Sequence, residues 1–391
     1  MSSATFSKQT LLVGLLSSVA IGLLIVIFYS PVWWVSLTAP NYPAEAFPDG
    51  VRIHFHFNGV FNGCEMQNKA EIQEDEALDC VHEMDTINHY VGMYPIAAGG
   101  PVERGLSQFL IAMMVIMLIG FACTKPRLRM AIMGSGFAAL VLWMYLAIYS
   151  DDGFGLLSEG YVAAMVTSLD QEASGENEEP EFVIGGIVGT LKSSLEDSGV
   201  EVVLPSEEAQ ARQTDKAAMI EELRLTFERD QMGRADAQVW NGSAFQVMSW
   251  HYKKTLGRYF NNPTEIGPMV ETLKLAIHVA FIGLVGAMAL LVFGGRRNGG
   301  LLYWLLVLVP MGLPLFFLID YSAWLWWYGH TLNDMGAFSV KPFMPTVFGD
   351  GKVAQFTTHS YPYTGFGLMV LLSLVLAVAS LLRIKQFKEP D

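Results

Sequence analysis

Long apolar blocks alternate along the chain with acidic, aromatic-rich stretches. Six blocks have close to the roughly 20 residues that an α-helix needs to cross the hydrocarbon of a bilayer. They are Thr10–Tyr29, Leu106–Cys123, Met130–Tyr149, Leu273–Phe293, Leu301–Ile319 and Gly365–Leu382. The second holds Met113, Met114 and Met117 and no charged residue, which is unusual for a soluble core helix of that length. The fifth contains Pro310 and Pro314, which predict a kink and backbone groups in need of other partners. The pattern predicts an α-helical polytopic membrane protein of about six transmembrane helices with small mixed α/β extracytoplasmic segments. The first block reads as an uncleaved signal anchor. Its apolar run is too long for an ordinary signal peptide, and Trp33 and Trp34 read as an interfacial belt at its exit.

Three polar segments separate the blocks: Ser36–Gly105, Ser150–Thr272 and Asp320–Thr364. In Val51–Phe57 (VRIHFHF), apolar residues alternate with Arg52, His54 and His56. That period of two predicts a half-buried strand with both histidines on its polar face, followed by a turn at Asn62–Gly63. In the second segment, Leu156–Leu169 reads as an amphipathic helix on the membrane surface and Gln171–Pro180 as an acidic loop. Beyond it, Phe182–Leu195 reads as a helix and Glu201–Leu204 as a short strand. Ser206–Val239 reads as a long helix with Ile220, Leu223, Leu225 and Phe227 toward a core. The third segment reads as a loop carrying Trp324, Trp326, Trp327 and Tyr328 near the interface.

Charge adds direction. Charged residues make up 16% of the chain, below the roughly 25% of soluble proteins. The net charge of -14 argues against a nucleic-acid partner, because phosphate binding needs a basic face. With the N-terminus inside, the cytoplasmic pieces carry Lys8, Lys125, Arg127, Arg129, Arg296, Arg297, Arg383, Lys385 and Lys388. The opposite face takes Glu71–Glu76, Asp151–Asp152 and Glu172–Glu181. The positive-inside rule therefore predicts a multi-pass protein of the inner (plasma) membrane with both termini cytoplasmic.

Candidate chemistry gathers on the outer side. His54, His56, His82, His89, His251, His330 and His359 fall there, and His278 lies about two turns into the fourth block. The densest stretch is Cys80–Pro95 (CVHEMDTINHYVGMYP), where His82 and Met84 are two apart and His89 and Met93 are four apart, a spacing that on a helix would set both on one face. Imidazole with thioether is a donor set that suits copper, Cu(I) above all. His54 and His56 are further candidate donors, and His330 and His359 could complete a site or cap helices. Met93 beside a surface His89 is also an ordinary packing pattern. Cys64 and Cys80 share an oxidising compartment that permits a disulfide; free thiols and metal ligation are the other readings. Cys123, at the cytoplasmic end of the second block, reads as reduced. Zinc signatures and a CxxCH haem-attachment motif do not occur in the chain.

Asn88–Met93 (NHYVGM), preceded by Asp85–Ile87, resembles the NHYIGM-type segment of a poorly characterised group of bacterial membrane proteins. That group is associated with copper and with nitrous-oxide-reductase maturation. The Lys341–Phe366 stretch (PFMPTVFG, VAQFTT, SYPYTGF) is similar to the group's later loop. The resemblance implies that His89 and Met93 matter and that copper is the metal to test. The chain lacks the Cys-containing motif of the copper-chaperone lipoproteins from such neighbourhoods, which counts against a direct chaperone role.

Two functions remain in view. One is a copper-handling maturation or assembly factor for a periplasmic or membrane cuproenzyme. The other is a non-catalytic structural subunit of a respiratory or other membrane complex. Both imply the lipid bilayer and other membrane or periplasmic proteins as partners. A transporter is disfavoured by the scarcity of ionisable groups within the blocks. Hydrolytic and nucleotide-binding enzymes are disfavoured because GxSxG, HExxH, P-loop and Rossmann fingerprints are missing.

Overall fold

A computed structural model of the chain describes residues 8–40, 47–64, 101–173, 216–234, 237–259, 263–331, 344–353 and 356–388. In chain order its elements are α1 (Lys8–Tyr29), β1 (Trp33–Thr38), β2 (Val51–His56), β3 (Gly59–Asn62), α2 (Pro101–Ala122), α3 (Pro126–Tyr149), α4 (Glu159–Ala173), α5 (Lys216–Gln231), α6 (Ala244–Tyr259), α7 (Pro263–Gly294), α8 (Leu301–Met311), α9 (Leu313–Thr331), β4 (Gly349–Val353), β5 (Phe356–Pro362) and α10 (Thr364–Lys388).

Helices α1, α2, α3, α7 and α10 are each long and apolar enough to cross a membrane. Helices α8 and α9 pass the same test together, as one span bent by 64°. The bend falls at Gly312, between Pro310 and Pro314, where missing amide hydrogens interrupt the helical ladder. Helix α2 is the hub, in contact with α1, α3, α7 and α8. Two thirds (67%) of its apolar stretch is buried, against 17–33% for the other four helices, so the absence of charge beyond Glu103 and Arg104 in its first turn reflects burial on most sides. Met113, Met114 and Met117 pack there with Met133 and Met144 of α3, flexible side chains suited to the gaps between crossing helices.

The start of α1, the end of α2, the start of α3, the end of α7 and the end of α10 meet at one end of the bundle. Gln386 donates to the Thr10 hydroxyl (2.6 Å), and Arg129 reaches the Gly295 carbonyl (3.1 Å). This end carries Lys125, Arg127, Arg129, Arg296, Arg297, Arg383, Lys385 and Lys388, with no acidic side chain among the described residues.

At the opposite end lies a five-stranded antiparallel sheet of order β3-β2-β1-β5-β4. Its strands come from the first and third polar segments, so chain regions more than 300 residues apart form one unit (β1 pairs Thr38 with Thr357). The predicted strand exists as β2, with burial alternating residue by residue. The hairpin turn falls at Phe57–Asn58, and Asn62–Gly63 closes β3 instead. Trp33 and Trp34 belong to β1, and Trp33 is buried in the core beneath the sheet.

Helix α9 runs to Thr331, past the point where the sequence pattern places a loop. Tyr321 and Leu325, four residues apart, both turn inward under the sheet and hold the helix there. Helices α4, α5 and α6 form a cap beside the sheet. In α5, Met219, Leu223 and Phe227 face the core at a spacing of four, whereas Leu225, half a turn away, is 54% exposed, contrary to the expectation above. The expected helix at Phe182–Leu195, the strand at Glu201–Leu204, residues 206–215 and most of the acidic loop lie outside the described residues.

Candidate functional site

Alternation gives the sheet two unlike faces. One face buries Trp33, Val35, Val51, Ile53, Phe55 and Val60 against Tyr321 and Leu325 of α9. Trp33 donates its indole N–H to Ser360 of β5 (2.9 Å), whose hydroxyl donates on to the Val347 carbonyl (2.8 Å). This apolar face anchors the sheet on the bundle.

The other face carries the chemistry. Across it, Phe61, His54, Trp34 and Tyr361 stand in one cross-strand row, and Arg52, Ser36, His359 and Asp350 in the next. Arg52 lies over the Trp34 ring at 4.3 Å, and Trp34 packs on Tyr361 at 5.5 Å. His54 stacks on Tyr363 at 5.0 Å, and His56 sets its ring edge-on to Phe61 at 5.1 Å.

His54 and His56 thus share one face of one strand, with Cα atoms about 7 Å apart by strand geometry. Burial, then the neighbouring Arg52 charge, holds the His54 imidazole below its usual range. Burial, then His54 itself, pushes His56 down to about 4, although a hydrogen bond to the Tyr29 backbone opposes the change. Both rings are therefore neutral near pH 7, the form in which imidazole nitrogen ligates a metal. The His54 Nε2 atom is buried and has no hydrogen-bond partner among the described residues. A buried polar atom left in that condition costs about 1–3 kcal/mol unless something else meets it.

His359 on β5 is engaged otherwise. Its Nδ1 donates to Asp350 Oδ1 (2.7 Å), and the Thr38 hydroxyl sits 3.1 Å from its Nε2. Tyr361 also donates to Asp350 Oδ1 (3.0 Å), and these bonds hold the exposed Asp350 carboxyl below its ordinary range. His330 is apart from this face. It stacks on Trp326 (4.4 Å) and bonds the Trp326 carbonyl through Nδ1 (2.7 Å), capping the last turn of α9. His251 is buried in the cap, bonded through Nε2 to the Met165 carbonyl (3.1 Å), and His278 pairs through Nδ1 with the Tyr149 hydroxyl (2.8 Å).

Cys64 follows β3. Its backbone N–H donates to Asn62 Oδ1 (2.9 Å), and its sulfur accepts from the Arg52 amide (3.5 Å). Cys80, His82, Met84, His89 and Met93 lie outside the described residues. Among the described residues no group of three or more His, Cys, Asp or Glu side chains is placed to hold a metal ion. Of the expected donors, the fold brings His54 and His56 onto one face and leaves His330 and His359 in other roles. Cys123 is a free thiol at the end of α2.

Residues with no role in the sequence reading beyond their charge turn out to be structural. Arg129 and Arg383 are fully buried at the basic end of the bundle, bonded to backbone carbonyls. The Asn58–Gly59 pair, a strong hairpin signal when flanked by alternating apolar residues, marks the β2–β3 connection. Gly59 packs so closely on Ala164 of α4 that an added Cβ would lie 2.7 Å from it.

Comparison of the chain with protein families, with curated proteins and with solved structures finds no match. Among the described residues the molecule is mostly helical, with five or six helices suited to a membrane and a small antiparallel sheet at one end.

Proposed function

We propose that this is a multi-pass membrane protein that handles copper at its sheet-bearing end, as a maturation or assembly factor for a periplasmic or membrane cuproenzyme. The observation that carries the reading is the pair His54 and His56 on the polar face of β2, with the His54 Nε2 buried and without a hydrogen-bond partner among the described residues. Two neutral imidazoles are too few for a closed site, and copper sites complete such a pair with further nitrogen or sulfur donors. The chain leaves this face through β3 and Cys64 and runs directly into the stretch that holds His82, Met84, His89 and Met93. A Cys64–Cys80 disulfide is part of the proposal. It would tether His82 two residues from a bridge anchored at the sheet, and a loop of that size stabilises by about 3 kcal/mol. The sheet end is read as extracytoplasmic because the described residues of the opposite end carry many basic and no acidic side chains, which by the positive-inside rule sets both termini in the cytoplasm.

The test is metal analysis of the full-length chain purified in detergent after expression with copper. Near-stoichiometric copper in the wild type is expected. It should be lost in His89→Ala/Met93→Ala and reduced in His54→Ala, while the exposed-site control Leu225→Ala retains it. A metal-free wild type that co-purifies stably with other subunits would replace this reading with that of a structural subunit.

A further inference from the structure

A long apolar groove runs between α3 and α7 toward the basic end of the bundle. Its volume is about 750 Å³, and it is open along one side. Helix α3 contributes Gly134, Ala138 and Val141 to the walls, and α7 contributes Val285, Ala289 and Val292. Small residues on both helices keep the backbones from being bridged by side chains. Gly134 has nothing within 4 Å of where a Cβ would stand. Tyr145 and Phe281 close the groove toward the sheet end, their rings 6.5 Å apart.

The groove is apolar along its length and basic at its mouth. Arg296 lines that mouth, its guanidinium held over the Phe293 ring at 4.5 Å. Arg127 lies one turn before Met130 on the same face of α3 and is exposed. From Met130 to Tyr145 the helix rises about 22 Å. One leaflet of bilayer hydrocarbon is about 15 Å deep, so a whole acyl chain fits.

We propose that this groove is a binding site for an anionic phospholipid, its acyl chain between α3 and α7 and its phosphate against Arg296 and Arg127. The proposal rests on the membrane reading above and not on copper. A second copy of the chain is a poor occupant. Two copies in one membrane share orientation, so docking groove to groove would set Arg127 and Arg296 against their own counterparts without an intervening acid. A lipid phosphate supplies the missing charge, and basic residues beside a bilayer surface attract anionic headgroups.

The full-length chain is reconstituted with equal amounts of phosphatidylglycerol and phosphatidylcholine, and the lipid retained after detergent transfer is identified by native mass spectrometry. The wild type should retain phosphatidylglycerol preferentially. Arg127→Gln/Arg296→Gln should lower that preference roughly 30-fold, the combined effect of two basic groups. Gly134→Leu, which fills the groove without meeting protein, should remove the bound lipid of either charge. Equal phosphatidylglycerol retention by wild type and the arginine variant overturns the proposal. So does a Gly134→Leu chain that changes from dimer to monomer with unaltered lipid, which would make the groove a helix interface. Alkaline carbonate extraction separates the two levels: a chain released from membranes refutes the membrane reading. A chain that stays in the membrane without lipid preference refutes only the site.

Discussion

Arg383, near the end of α10, donates from Nη2 to the carbonyl of Phe121 in the last turn of α2 at 2.7 Å. The same nitrogen reaches Ala122 at 2.8 Å, while Arg129 covers the carbonyls of Gly120 (3.0 Å) and Cys123 (2.6 Å). The final carbonyls of a helix lack intrahelical donors and form its negative pole. Two guanidinium groups close this pole, one over the Tyr303 ring at 4.4 Å and the other over Phe121 at 5.4 Å. The central helix is thereby tied to α3, to the α7–α8 turn and to α10.

Removing Arg383 takes the side-chain donor from the Ala122 carbonyl and leaves the Phe121 carbonyl with only the longer bond from the Tyr303 hydroxyl (3.3 Å). Arg383→Ala should destabilise the full-length chain in detergent by about 2–4 kcal/mol, read as a lowered thermal unfolding midpoint. Arg383→Lys should recover less than half of the loss, because an ammonium gives up the second bond from Nη1 to Gln386 (2.7 Å) and the planar packing over the Phe121 ring. Unchanged stability in both variants would contradict the capping role.

The cap should weaken in acid through His251. Burial pushes this imidazole from 6.5 down to about 4, so the folded chain holds it neutral. The unfolded chain takes up a proton below about pH 6.5. Stability is therefore complete above that pH and falls as pH drops from 6.5 toward 4, by up to about 3 kcal/mol. His251→Gln should flatten this part of the stability–pH curve; an equal slope in wild type and variant would contradict the assignment.

Within the same cap, Asp230 meets four side chains, among them the Gln231 amide, which donates at 3.2 Å. Its carboxylate meets Arg234 at 2.7 Å, Lys254 at 3.5 Å and the Trp250 indole N–H at 3.0 Å. Asp230→Ala strands the buried indole and should cost about 2 kcal/mol. Asp230→Asn keeps an acceptor for Trp250 and should cost less, with limited proteolysis after α5 as the readout.

Gly365 sits where α10 leaves the sheet, and its amide donates to the Pro31 carbonyl at 2.8 Å. A Cβ there would lie 2.7 Å from that oxygen. Gly365→Ala should therefore push α10 away from the end of α1 at a cost of about 1–3 kcal/mol. Gly367→Ala, with nothing within 4 Å, is the matched control. Equal midpoints for the two variants would contradict the close approach.

Much of this architecture was legible because it is written locally. A helix able to cross hydrocarbon needs only length and apolar character, which a window of residues displays without reference to the rest of the chain. The alternation in Val51–Phe57 likewise declared both the strand and the face that holds His54 and His56. The sheet itself was not legible. Phe356–Pro362 (FTTHSYP) is polar on both sides and has no period of its own, and its partner β1 lies at the other end of the sequence. Arg129 and Arg383 were visible as charges, but their burial depends on which helix end they meet, and that is decided by packing. Leu225 was misplaced because a run of apolar residues does not say which of them lie on the helical stripe. Of the candidate metal site, the strand half could be read and checked, while His82, Met84, His89 and Met93 rest on donor chemistry and on a resemblance.

The most direct measurement is copper K-edge X-ray absorption on the purified full-length chain loaded with one equivalent of Cu(I). A shell containing both imidazole nitrogen and sulfur is predicted. The imidazole contribution should shrink in His54→Ala/His56→Ala, and the sulfur contribution should disappear in Met84→Ala/Met93→Ala. A spectrum of loosely held copper that is the same in wild type and both variants would contradict copper handling at the sheet end.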